Sequence, residues 1–101
     1  MPQMKPPNEL PYELHANGCG AFITFDVGER VALPLMALIK ATLRGCDAQE
    51  LTLEFPGTQV IVEGGGLAEP LEHMLGGRVK RIARGCYGDC CVTGIRVVDV
   101  G

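Results

Sequence analysis

Apolar and polar residues alternate most strictly between Glu50 and Glu63. Leu51, Leu53 and Phe55 fall on one side of an extended chain, with Thr52 and Glu54 on the other. Pro56-Gly57 fills the two central positions of a type II turn, and Thr58–Glu63 returns as the partner strand. The pattern predicts a β-hairpin over 50–63 whose Leu51, Leu53 and Phe55 face the core. A second hairpin is predicted upstream. There Ala21–Val27, rich in aromatic and β-branched residues, and Arg30–Leu33 flank Gly28-Glu29.

Other stretches fit more than one period. Between Pro34 and Arg44, the residues Leu35, Leu38, Ile39 and Thr42 share one helical face. Pro34 suits a first helical position and Gly45 a stop. Yet Ile39, Ala41 and Leu43 also alternate with Lys40, Thr42 and Arg44. Local propensity favours a helix, with a helical turn running into a strand as the alternative. Leu67–Leu75 is predicted as a short amphipathic helix, with Leu67, Leu71, Met74 and Leu75 at helical spacing and Gly76-Gly77 as its stop. Glu69 and Glu72 sit near its positive end, and Pro70 lies in its first turn. Gly64–Gly66 reads as the flexible turn into that helix. Arg78–Arg84 is expected to be a short edge strand whose charges discourage edge pairing, and Val92–Val100 a final strand. Together these segments predict one small α+β domain: a mainly antiparallel sheet, curled or even barrel-like, covered by one or two short helices.

Four of the seven prolines fall in residues 2–11, so residues 1–11 are expected to form a flexible arm and 12–101 the folded domain. Apolar residues make up 47% of the chain and charged residues 21%, a balance that excludes wholesale disorder. No apolar run approaches the ~20 residues of a membrane-spanning helix, so no membrane partner is expected. The N-terminal residues lack the apolar stretch of a secretory signal, which makes the cytoplasm the expected location. In that reducing setting the five cysteines are expected to be mostly free thiols or metal ligands.

The densest chemistry is Cys86-Tyr-Gly-Asp-Cys90-Cys91, where three thiols surround a Gly that permits a tight turn. Two of these sulfurs could meet one soft cation, with His15 and Cys19 supplying the other half of a tetrahedral site. Zinc is the metal such a set would take, and buried, unliganded cysteines are the plainer reading. Nucleophilic catalysis lacks its parts in order: no Cys stands in a nucleophile turn, and His73 is expected to be a partly exposed surface residue. Gly64–Gly66 opens a helix but carries no phosphate fingerprint, and Glu69 and Glu72 would repel an anion there. Arg78–Arg84 holds four of the nine basic residues, yet only Tyr87 lies nearby to stack a base, and the net charge is −3. A solvated face, with no nucleic-acid partner, is the expectation.

With no complete catalytic constellation and no cofactor motif, the expected function is that of a small non-catalytic binding or interaction module that self-associates. A Cys-ligated zinc protein or a thiol-redox protein is the alternative. So small a body has too little interior for all of its apolar residues. Val92–Val100 is therefore expected to find cover in a homodimer or other homo-oligomer, a further protein partner being possible. The competing expectation is that this strand lies in the centre of the monomer's sheet, buried on both faces.

Overall fold

The computed structural model describes residues 11–16 and 20–100. In chain order these form β1 (Tyr12–Leu14), β2 (Phe22–Asp26), β3 (Arg30–Pro34), a 3-10 turn (Leu35–Ala37), β4 (Lys40–Arg44), β5 (Glu50–Phe55) and β6 (Thr58–Gly65). They are followed by α1 (Ala68–Leu75), β7 (Val79–Ile82), β8 (Gly85–Tyr87) and β9 (Cys90–Asp99). A four-stranded sheet runs β1-β7-β2-β3, and a five-stranded sheet runs β4-β5-β6-β9-β8. All pairings are antiparallel except β2 with β7. The α+β prediction therefore holds in its antiparallel character and its single short helix, while the two sheets stay open and do not close into a barrel.

The two sheets share one core. Ile23 and Phe25 of β2 and Val79 and Ile82 of β7 meet Leu51, Leu53 and Phe55 of β5 and Val60 and Val62 of β6. Leu67 and Met74, at either end of α1, join the same cluster, and the helix packs beside β7. The hairpin predicted at 50–63 is present with its register running from Glu50↔Glu63 to Phe55↔Thr58, and all three predicted core residues are buried. The hairpin around Gly28-Glu29 is present as β2–β3.

Four expectations need correction. Residues 34–44 are not one helix; the alternative forms instead, a single 3-10 turn leading into β4. Pairing with β5 sets Lys40 opposite Glu54 and Arg44 opposite Glu50, and these opposite-charge partners outweigh local helix propensity. Ile39, which a helix would have buried, is 66% exposed. Arg78–Arg84 supplies a strand, but an interior one: β7 lies between β1 and β2. Its charge is tolerated there because Arg81 meets Asp26 at 3.4 Å and Glu13 at 3.7 Å. Gly64 and Gly65 extend β6 rather than loosening it. A β-bulge follows Glu63, and a Cβ on Gly64 would meet the Cys91 carbonyl oxygen, so the glycine lets β9 approach closely. Finally, Pro11 is not part of a loose arm: it is buried, and its carbonyl accepts the Ala83 N–H at 3.0 Å. The rest of the predicted arm lies outside the described residues. Among the described residues no helix is long and apolar enough to cross a membrane.

Candidate functional site

The edges of the two sheets are guarded unequally. β1 is three residues long and bulged, and β3 begins at Arg30 and ends at Pro34. β4 carries Lys40 and Arg44 at its ends. Short length, proline and cationic side chains are the usual protections of an exposed edge. β9 is different. It pairs with β6 over Cys91–Asp99, but β8 reaches only Cys90–Val92. From Thr93 to Asp99 it has a strand on one side and, among the described residues, none on the other.

Strand geometry determines what that free edge offers. The Val100 N–H donates to the Gly57 carbonyl at 3.0 Å, toward β6. By alternation, Ile95, Val97 and Asp99 turn their N–H and C=O groups away from β6. The cationic side chain of this half, Arg96, reaches across to Glu63 on β6 at 3.2 Å. Between the free half of β9 and β3 lies an open groove of about 600 Å³, lined by Val31, Leu33, Ile95 and Val97 and also by the charged Glu29, Arg96 and Asp99. Val92 is buried, whereas Val98 and Val100 are 38% and 55% exposed. The strand is thus central at its start and an edge at its end.

The cysteines of the predicted metal cluster are separated by the pleat. Gly88-Asp89 makes a two-residue turn, which sets Cys86 directly opposite Cys91. Their Cα atoms are 4.0 Å apart and their sulfurs are joined as a disulfide. This corrects the expectation of mostly free thiols for these two; among the described residues Cys46 and Cys90 are free. Cys90 points to the opposite face, into the core, at 1% exposure. Burial, with the Glu69 carboxylate as a second cause, pushes its thiol up to about 11. A thiol so protonated at neutral pH is a poor nucleophile and a poor ligand.

His15 lies at the end of β1, where its backbone N–H donates to the Arg78 carbonyl at 2.8 Å. Its ring covers Gly20, and its buried Nε2 has no hydrogen-bond partner among the described residues. Cys19 lies outside the described residues. Among the described residues no three His, Cys, Asp or Glu side chains converge as a metal site.

A polar cluster that the sequence did not suggest surrounds Cys90. Tyr12, on β1, is raised to about 12 by burial first and then by its hydrogen bond and charge interaction with Glu69 of α1. Its ring stacks at a tilt on His73, 5.7 Å between centroids, and His73 Nδ1 lies 3.2 Å from the Arg78 guanidinium. The cluster ties β1, α1 and β9 together and reaches Arg78, the residue before β7. Glu69, His73 and Arg78 are close in sequence, but Tyr12 and Cys90 lie far from them, so no linear signal could have joined all five. No family model, curated protein or solved structure matches the chain.

Proposed function

We propose that the chain is a small interaction module whose working part is the free half of β9, and that its first partner is a second copy of itself. The observation that carries this reading is the row of outward N–H and C=O groups on Ile95, Val97 and Asp99, which among the described residues has no strand beside it and Asp99 as its one acidic member. A two-fold antiparallel pairing centred on Val97 uses every one of these groups in both copies. Val97 then faces Val97 of the second copy, and Ile95 faces its Asp99. Arg96 lies across from Val98 of the second copy, so this register brings no like charges together. The added strand would enter the groove and cover Val31 and Leu33, the half-buried residues of β3. Burial of the apolar part of this lining favours pairing, and the backbone bonds give both affinity and register.

Light scattering at micromolar concentration tests the reading. The expected mass is about twice the chain's 10.8 kDa. Val97→Pro is expected to give a folded monomer, because it removes an N–H that faces outward and leaves the bonds to β6 in place. Should that variant fail to fold, Asp99→Pro removes the next outward N–H and decides the matter. A wild-type monomer, or folded proline variants that remain dimeric, overturns the proposal.

A further inference from the structure

The disulfide on the β8–β9 hairpin sits where a reagent can reach it. Cys86 is exposed and Cys91 half-buried, both on the face of the sheet opposite the core. On β6 the residue paired with Cys91 is Gly65, and the Asp47 carboxylate lies 3.2 Å from where a Gly65 Cβ would stand, so that side is screened and the reagent must come from the Cys86 side. On the other side β8 is the last strand of its sheet.

The bond also does little for the fold. Its two cysteines are five residues apart, in a hairpin that backbone pairing already closes. Cross-linking so short a loop removes little entropy from the unfolded chain. β8 is three residues long and pairs with β9 alone, so it can loosen without disturbing any buried contact of the core. Cys90 cannot intrude, since its thiol is buried on the opposite face.

We propose that Cys86–Cys91 is a thiol–disulfide exchange site that opens and closes in the folded protein, with an external dithiol as its reductant. A thiolate of the dithiol attacks Sγ of Cys86, the more exposed sulfur, and forms a mixed disulfide. The Cys86–Cys91 bond breaks, and Cys91 leaves as a thiolate that takes up a proton. The second thiol of the reagent then attacks its own sulfur in the mixed disulfide and releases Cys86 as a thiol. Two electrons pass to the protein, and the dithiol becomes a cyclic disulfide. Opening removes the cross-link from β8, which is then held to β9 by backbone bonds alone.

The test equilibrates native protein in buffers of graded reduced-to-oxidised dithiothreitol, traps thiols by alkylation and reads each cysteine by peptide mass spectrometry. Cys86 and Cys91 are expected to pass together, reversibly and without denaturant, from unlabelled to labelled, while Cys90 stays unlabelled. In the reduced protein, amide exchange at Gly85–Tyr87 is expected to rise tenfold or more with the far-ultraviolet circular dichroism unchanged. Cys86→Ser should show that faster exchange at every ratio, with Cys91 always labelled. The proposal is overturned if Cys86 and Cys91 are labelled throughout, or if they stay protected until denaturant unfolds the chain. It is also overturned if reduction leaves amide exchange at β8 unchanged.

Discussion

The β5–β6 hairpin turns through Pro56-Gly57 and the β8–β9 hairpin through Gly88-Asp89, with Gly57 at φ 76° and Gly88 at φ 62°. In both, the place a Cβ would occupy is open space, so the glycines serve backbone conformation and not close packing. Beyond the turns the two differ. β5 and β6 are flanked by β4 and β9, and Leu51, Leu53, Phe55, Val60 and Val62 are each at most 3% exposed. β8 has one neighbour and a cross-link, and its hairpin reaches the core only through Cys90 and Val92. The glycine holds the second central position in the first turn and the first in the other, yet each closes a two-residue hairpin, one buried and one detachable. The difference in burial follows the flanking strands.

One aromatic residue in each hairpin measures the difference. Phe55, 3% exposed, fills the core, and Phe55→Ala is expected to cost about 3–5 kcal/mol in denaturant unfolding. Tyr87, 70% exposed, has little to lose, and Tyr87→Ala is expected to stay within about 0.5 kcal/mol. Similar losses at the two sites would erase the distinction.

A smaller effect sharpens it at the point where the outer hairpin enters the core. The Cys90 thiol is raised from 9.0 to about 11 and the Tyr12 hydroxyl from 10.0 to about 12. Both groups bind their protons more tightly folded than unfolded. Their contribution to stability is therefore complete below pH 9 and is lost as pH rises through about 11 and 12. The melting temperature is expected to fall across that window, and Cys90→Ala to fall less steeply. An unchanged slope in that variant would mean that Cys90 ionises without opposition.

The legible parts of the sequence were those in which burial writes a period. Leu51, Leu53 and Phe55 announced their strand because one face of it is wholly inside. The strand Lys40–Arg44 was ambiguous because its inward residues are small or only half-buried, and opposite charges on β5 favour its pairing. β1 and β8, at three residues each, are too short to show any alternation. Of the candidate site, the sequence gathered Cys86, Cys90 and Cys91 into one cluster. It could not show that the pleat sends Cys90 inward and its neighbour outward, because the hairpin turn at Gly88-Asp89 is what fixes the faces. The free half of β9 was legible as apolar excess, but not as an edge. Where β8 stops is a matter of pairing length, which composition does not encode.

The parallel contact between β2 and β7 has a kinetic consequence. Thr24 pairs with Arg81 and Phe25 with Ile82, and the whole meander β4–β5–β6 and α1 lie between them in the chain. Neighbouring strands joined by short turns close small loops, whereas this pair must close a long one before any contact rewards it. The meander is thus expected to assemble early in refolding, with β7 docking late against β2. In rapid-mixing experiments Leu53→Ala should slow refolding, while Val79→Ala should leave the refolding rate nearly unchanged and speed unfolding. Equal slowing by both would place β7 in the folding nucleus and overturn that order.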